Sequence, residues 1–391
     1  MTRDAVRLLL RRHQDALNRH DVPDLMALYA GDAVLESPMF DTVRGKGAIR
    51  RSFHRLFTIF PDYRVHMADA LFLADGDRAA EFSRVTGTHD VELFGLPPTG
   101  QVIEYHAARL FTLRGGVILN EQRIYDFRGV LERLEKSRLD RELTTASVIQ
   151  QALCRTRHHG QSFDTVGATL SCRAIGGDFL EYVDLPGGKL GLALGDVSGK
   201  GPAAALVAAM LQGMLSIIAG DDPCPSAVVA RLNRALYERG IEPSFATLTY
   251  ATLAPDGRFT YANAGHHPPL VLRATGVEQL TEGGPMLGIF PDAQFPEASV
   301  ALAPGDTVVA FSDGVVEAEA PDGADFGLTR LLQVVSAERD DSPQMLLDRV
   351  LAAVRDFCGD TTPGDDVTVA VARYRVERAR ADRVSARVDP V

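Results

Sequence analysis

Four acidic positions stand at glycine-rich turns in the second half of this 391-residue chain, and they are the residues best placed to do chemistry. They are Asp178 in Gly176-Gly177-Asp178-Phe179, Asp196 in Gly195-Asp196-Val197-Ser198-Gly199-Lys200-Gly201, Asp313 in Ser312-Asp313-Gly314, and Asp365 with Asp366 in Gly364-Asp365-Asp366-Val367-Thr368. Three of these turns adjoin short apolar runs, Leu190–Leu194, Thr307–Phe311 and Val369–Val371, that read as buried strands. Glycine neighbours let the backbone turn and let an ion come close. One Asp-Gly at a strand end is an ordinary turn. Four such turns in one region would bring their carboxylates together if the strands lie side by side. Clustered carboxylates repel and raise one another's pKa unless cations neutralise them. Oxygen ligands without His or Cys select Mg²⁺ or Mn²⁺ rather than Zn²⁺. Two such ions about 4 Å apart could hold a bridging water, lower its pKa and aim it at phosphorus.

The elements that must position these residues span 158–375, where short β-rich runs alternate with helical stretches near 202–219 and 326–358. Pro202 takes a normal first-turn position of its helix. The apolar window Ala203–Ile218, interrupted by Gln212, Gly213 and Ser216, reads as a buried helix too short to cross a bilayer comfortably. Gly195–Gly201 misses the G-x4-G-K-[ST] register, so it does not indicate nucleotide binding. His266 and His267 are adjacent and would point to opposite faces of a strand, which argues for a turn with one hydrogen-bonded His rather than a ligand pair.

As a set these blocks resemble the metal-dependent type 2C (PPM) protein phosphatases, specifically the SpoIIE/RsbU-type bacterial branch. Beside the acidic turns, the matching blocks are Ala203-Ala204, Phe245-Ala246-Thr247, Ala262-Asn263-Ala264-Gly265-His266 with Pro268-Pro269-Leu270, Met286-Leu287-Gly288 and Gly305-Asp306. The resemblance implies an α-β-β-α sandwich and a protein serine/threonine phosphatase with two Mn²⁺ or Mg²⁺ ions. It implies Asp196 as the ligand bridging both metals and the Val197 carbonyl as a ligand of one. Asp178, Asp313 and Asp365 would be the other carboxylates, and Asp366, where animal relatives carry Asn, completes the candidate set. Asp196, Asp178 and Asp313 are the implied catalytic residues. The implied reaction is direct in-line hydrolysis without a phosphoenzyme. The implied partner is a phosphorylated STAS-domain anti-anti-sigma factor in partner-switching control of transcription.

Two departures stand out. Leu180 and Glu181 replace the Tyr and Asp that often follow Gly-Gly-Asp-Phe in this branch. Arg173 lies five residues before Asp178, where animal-type relatives use an Arg to grip phosphate; an Arg on a strand face or surface is the simpler reading.

Residues 1–128 read as a separate α+β unit. Val6, Leu9, Leu10, Ala16 and Leu17 share a helical face, a second helix starts near Asp21 with Pro23 in its first turn, and a third runs through Ile49, Phe53 and Phe60. Strands flank Asp75-Gly76 and Arg114-Gly115-Gly116, two hairpin signals. Helices first and long antiparallel strands afterwards predict a curved sheet wrapped around helices, with a cavity. The opening helix, Asn18-Arg19-His20-Asp21, Tyr29–Ala33, Gly45-Lys46-Gly47, Leu96-Pro97-Pro98-Thr99-Gly100 and Tyr125-Asp126 resemble the SnoaL-like branch of the nuclear-transport-factor-2-like cone fold. That resemblance implies sensing or dimerisation. His66, Glu104, His106, Tyr125 and Asp126 could line a pocket, and only Asp126 stands where some cyclases of this branch keep a base; a cyclase or isomerase there is an alternative, as is a silent phosphatase fold used for binding.

Residues 129–157 contain no Pro, and from Val130 no Gly; they predict one linker helix, with Leu139, Leu143, Ala146 and Leu153 as a possible pairing seam that would include Gln150. A homodimer through the first domain and this helix is the expected assembly. The tail 376–391 is charged and aperiodic and reads as disordered. A net charge of −11 disfavours nucleic acid and anionic membranes as partners. Cys154, Cys172, Cys224 and Cys358 form no CxxC pair and none starts a C-x5-R loop, which fits reduced thiols in a cytoplasmic protein. The N-terminus has no long apolar run and does not read as a signal peptide.

Overall fold

A computed structural model describes residues 1–154, 157–159, 162–241, 245–337, 341–359, 361 and 363–375. The tail reading for 376–391 lies outside the described residues. The chain divides into two compact units, Met1–Glu142 and Leu143–Val391.

The first unit runs α1 (Arg3–Asn18), α2 (Val22–Leu28), β1 (Tyr29–Ser37), β2 (Asp41–Arg44), α3 (Lys46–Ile59), β3 (Arg64–Asp75), β4 (Arg78–Thr88), β5 (Val102–Arg114) and β6 (Val117–Ile124). Helix α4 (Phe127–Leu153) starts here and ends in the second unit. Asp21 caps α2 by accepting from the Asp24 N–H at 2.9 Å, with Pro23 in the first turn as expected. The sheet order is β2-β1-β6-β5-β4-β3, and the two long hairpins turn where Asp75-Gly76 and Arg114-Gly115-Gly116 stand. Strand β1 was not foreseen. It enters between α2 and α3 and pairs parallel to β6, Leu35 opposite Glu121, so the sheet is not wholly antiparallel. Val6, Leu10, Leu17, Leu25, Ile49, Phe53 and Phe111 belong to the core between helices and sheet.

The linker helix ends at Leu153 rather than Arg157, and Arg157 opens a strand. The second unit continues with β7 (Arg157–His159), β8 (Phe163–Leu170), β9 (Phe179–Leu185), β10 (Lys189–Val197), α5 (Pro202–Asp221), α6 (Pro225–Glu238), β11 (Ala246–Leu253), β12 (Arg258–Ala264), β13 (Leu270–Arg273), β14 (Gly276–Gln279), β15 (Glu297–Ala301), β16 (Thr307–Phe311), α7 (Asp313–Val316), α8 (Gly327–Ala337), α9 (Pro343–Cys358) and β17 (Val367–Tyr374). One sheet is ordered β15-β12-β11-β10-β9 and the other β14-β13-β16-β17-β8-β7.

Both faces of the central strands are buried, which is why they read as continuous apolar runs rather than alternating ones. Leu190, Leu192 and Leu194 of β10 meet Val308, Ala310 and Ala370 between the sheets. Ala193 and Val197 turn the other way, toward Val207, Leu211 and Leu232 of α5 and α6. Val309, Phe311 and Val369 pack on Leu331, Leu346 and Val350 of α8 and α9. The result is the expected α-β-β-α sandwich. Helix α5 is long and apolar enough to cross a membrane, but half of it is buried in this core.

Candidate metal centre

The acidic turns converge because each borders the same end of the sandwich. Strands β9 and β10 are antiparallel neighbours, with Gly195 opposite Phe179, so the start of one lies beside the end of the other. Asp178 precedes β9, and Asp196 is the penultimate residue of β10. In the second sheet β16 and β17 are antiparallel, with Phe311 opposite Val369. Asp313 follows β16, and Asp365-Asp366 precede β17. Each sheet thus sends carboxylates to one edge.

Bonds between the sheets hold the edge together. The Thr368 hydroxyl donates to Asp178 Oδ2 at 2.5 Å, and the Gly177 N–H donates to Asp366 Oδ2 at 2.8 Å. Cys172 N–H donates to the other Asp366 oxygen at 2.8 Å. Asp366 is buried and both its oxygens are occupied by backbone amides, so it fastens the loop 172–177 to β17. Asp365 is half-buried, and Lys200 Nζ lies 2.8 Å from its Oδ2. Lys200 also donates to the Gly364 carbonyl at 2.6 Å.

The electrostatics are those of like charges forced together. Burial first, and Asp196 second, push the Asp178 carboxyl well above its usual range. Burial, then Asp313 and Asp365, raise Asp196 to about 7. Burial and Asp365 raise Asp313. Asp178 Oδ1 is buried without a hydrogen-bond partner among the described residues. An unpartnered buried carboxylate oxygen is costly unless something else meets it. A side chain at Gly177 would lie 2.6 Å from the Val197 carbonyl oxygen and 3.2 Å from Asp196 Oδ1, so only glycine leaves this cradle open. The candidate donors are all oxygen, one of them is buried without a partner among the described residues, and Gly177 keeps the space beside Asp196 and the Val197 carbonyl clear. These observations fit divalent metal ions.

Among the other sequence-predicted positions, His266 is buried with its pKa lowered by burial to about 3; it pairs with Thr247 at 2.7 Å and is framed by Asn263. It is therefore a neutral turn residue, and His267 stacks separately on Phe311. Arg173 is exposed, with its Nη1 3.8 Å from where Gly201 would carry a Cβ. Leu180 fills the inter-sheet core, whereas Glu181 is buried and accepts from Gln212 Nε2 at 2.6 Å. Sequence reasoning gave Lys200, Cys172, Gln150 and Gln212 no role at this centre; Gln150 was read as part of a helix-pairing seam. Lys200 stood inside a matched block and could have been noticed. Cys172, Asp365 and Asp366 have ligand atoms within 4.8 Å of one another.

The pocket expected in the first unit takes a different form. His66 bonds Arg84 and Thr86, and Arg84 bridges to Glu104, on the outer face of the sheet. His106 is exposed, and Asp126 caps the start of α4 through the Gly129 N–H. Of that group only Tyr125 lines the interior cavity, which has a volume of about 10 Å³, room for one water. A second cavity of about 710 Å³ is an open trough beside α1, and its charged residues Arg3, Asp4, Arg7, Asp75 and Arg78 are all exposed.

Comparison with known proteins agrees with both halves. The family described as stage II sporulation protein E (SpoIIE) matches residues 186–375, and the SnoaL-like domain matches residues 10–121. The chain is 28% identical over 242 residues to phosphoserine phosphatase RsbU of Bacillus subtilis, covering 60% of this chain and 70% of that protein. It is 27% identical over 232 residues to protein IcfG of Synechocystis sp., of which it spans only 36%. The SiaA-PP2C domain of Pseudomonas aeruginosa superposes with a TM-score of 0.55 at 18% identity, covering 61% of this chain and 98% of that domain, which establishes the fold of the second unit.

Proposed function

We propose that this chain, which carries a SpoIIE-type PPM domain over residues 186–375 and a SnoaL-like domain over residues 10–121, is a metal-dependent protein serine/threonine phosphatase. The observation that carries this reading is the meeting of Asp178, Asp196, Asp313 and Asp365 at one edge, with a buried oxygen of Asp178 left over. Asp178, Asp196, Asp313, Asp365 and the Val197 carbonyl would hold two Mn²⁺ or Mg²⁺ ions. Such ions supply an acidified water as nucleophile and charge stabilisation at the phosphoryl oxygens. The chain's own residues do the positioning. Asp366 fixes the loop that presents Asp178, Thr368 orients the Asp178 carboxylate, and Gly177 keeps the floor open. Lys200 and Arg173 place positive charge at the exposed rim, where a phosphate would arrive.

The substrate class we infer is phosphoserine or phosphothreonine on a regulatory protein, a phosphorylated STAS-domain anti-anti-sigma factor being the partner that the likeness to RsbU suggests. We also infer a homodimer. In its support, the outer face of the first sheet carries an apolar row, Leu71, Phe82, Ala108 and Ile124, with Leu73 and Leu110 beside it. Val148 and Ile149 of α4 are exposed as well. Four separate free thiols suit a reducing, cytoplasmic setting.

The test is hydrolysis of an aryl phosphate and of a phosphoserine peptide by the full chain, with Mn²⁺, with Mg²⁺ and with a chelator. Turnover that needs metal and disappears in Asp196→Asn is the expected result. Absence of turnover with either ion, or full turnover in Asp196→Asn, would defeat the reading.

A further inference from the structure

Gln150 lies in the last turn of α4, and its side-chain amide makes two hydrogen bonds to one residue. Nε2 donates to the Gly176 carbonyl at 2.7 Å, and Oε1 accepts from the Gly176 N–H at 3.1 Å. Gly176 is the first residue of the loop that presents Asp178. A side chain there would lie 1.9 Å from Asp366 Oδ2, so Gly176 is pressed between the linker helix and the Asp366 carboxylate. Three residues further along α4, the Leu153 carbonyl accepts from Gln212 Nε2 of α5 at 2.8 Å. A helix leaves its last carbonyls without partners, and here one of them is met by the phosphatase domain itself. Gln212 also donates to Glu181 on β9. The end of the linker is thus fastened to the Asp178 loop and to α5, all within the second unit.

We propose that Gln150 is a positioning residue for the metal centre: its amide holds the Gly176-Gly177-Asp178 loop in the conformation that binds metal, so metal affinity depends on the docking of the linker's last turn. This rests on the phosphatase reading above and adds its means of regulation. The two-point contact explains why glutamine is needed. Asparagine is one methylene shorter. Glutamate keeps the acceptor for the Gly176 N–H but turns the second bond into repulsion of the carbonyl, and it adds a charge beside carboxylates that already repel. The loop is held by Asp366, just before β17, by Thr368 of β17, by the Val197 N–H on the Gly177 carbonyl, and by Gln150 from α4. Of these only Gln150 belongs to an element that also reaches into the SnoaL-like unit, so a twist or withdrawal of α4 would loosen the Asp178 loop without unfolding the sandwich.

The experiment uses the full chain and Mn²⁺ as the probe, with binding followed by titration calorimetry and turnover by aryl phosphate hydrolysis. Two lost hydrogen bonds predict that Gln150→Ala weakens Mn²⁺ binding about tenfold, with the maximal rate at saturating metal within about threefold of wild type. Gln150→Glu should weaken binding at least as much, and Gln151→Ala, one position away on the exposed side, should not change it. A second readout needs no metal. Amide exchange in the segment 172–180 of the metal-free chain should accelerate in Gln150→Ala while exchange in β10 and β11 does not. Unchanged Mn²⁺ affinity in Gln150→Ala, unchanged exchange in 172–180, or a fall in maximal rate with normal metal affinity would each overturn the proposal. A wild-type chain that takes up no Mn²⁺ sinks this inference together with the phosphatase reading. A wild-type chain that binds Mn²⁺ no better than Gln150→Ala sinks this inference alone.

Discussion

The two halves of this chain both bury carboxylates, and they treat them in opposite ways. Inside the first unit Glu81 lies 2.8 Å from Arg109, and Glu121 lies 2.7 Å from Arg123, all four almost fully buried. Burial alone would raise Glu121, but Arg123 and its neighbours bring it down to about 2. Two negative charges meet two positive ones, so the charges balance within the chain, although Glu81 Oε2, Arg109 Nε and Arg123 Nη2 are buried without hydrogen-bond partners among the described residues. At the edge of the second unit the aspartates meet mainly one another, and their pKa values move up instead of down. A buried charge cluster that neutralises itself is part of the scaffold. One left with surplus negative charge is built around something it does not contain. The contrast separates structural acids from functional ones more sharply than burial does.

The strongest way to break the comparison is to remove one member of the self-neutralised set. Arg109→Met leaves Glu81 buried without its partner, and the first unit should lose about 3–5 kcal/mol, read as an early transition in denaturant. Replacing both, as Arg109→Met with Glu81→Leu, should recover most of that loss, because neither charge is then stranded. An equal loss in the single and double variants would mean that packing rather than charge pairing is what Arg109 supplies. The aspartate cluster should behave in reverse. Burial and Asp196 already oppose a charge on Asp178, so metal-free Asp178→Asn should be at least as stable in denaturant as the wild type, while Mn²⁺ no longer raises its melting temperature. A destabilised metal-free Asp178→Asn would show the cluster to be part of the scaffold after all.

This difference also decided what could be read from the sequence. The acidic turns were visible because strand ends that present ligands place glycine beside aspartate, as in Gly177-Asp178 and Asp313-Gly314. The hairpins at Asp75-Gly76 and Arg114-Gly115-Gly116 were visible for a similar reason, since tight turns demand those residues. The cone interior was not visible. Glu81, Arg109, Glu121 and Arg123 sit in alternating strands, where a charged residue ordinarily marks the solvent face, and only the partner strand reveals that each is paired inside. Strand β1 was missed because its parallel partner β6 lies more than 80 residues away and no turn connects them. Gln150 was placed in a helix seam because its chemistry is with a backbone, and backbone partners leave no trace in residue types.

The comparison sharpens further with pH. Asp196 titrates near 7 in the metal-free fold and near 4 in an unfolded chain. The folded state therefore holds the proton more tightly. The stability linked to it is complete below about pH 4 and is lost as pH rises through 7. His13 in the cone, lowered by burial to about 4, and His266, lowered to about 3, act the other way: their contribution is present above about 6.5 and is lost on acidification. The two effects oppose each other wherever an unfolded imidazole still holds a proton, so the share of the aspartate is read by difference. The melting temperature of the metal-free chain minus that of metal-free Asp196→Asn should fall as pH rises from about 5 to 8. A difference that does not change with pH would place the titration outside Asp196.

The smallest expected effect concerns Lys200, the cation paired with Asp365. Lys200 Nζ lies 2.8 Å from Asp365 Oδ2, and both side chains are more than a third exposed. Exposed pairs are worth little, about 0.2–1 kcal/mol. Lys200 thus resembles, in weak form, the arginines of the cone, a cation from the chain itself set against a buried or half-buried acid. If it competes with a divalent ion for Asp365, Lys200→Gln should tighten Mn²⁺ half-saturation by about two- to threefold, and the gain should shrink as salt screens the pair. Weaker Mn²⁺ binding in Lys200→Gln would give Lys200 the opposite role, holding Asp365 in place for the metal, and the line between self-neutralised and metal-dependent acids would then pass through Asp365 itself.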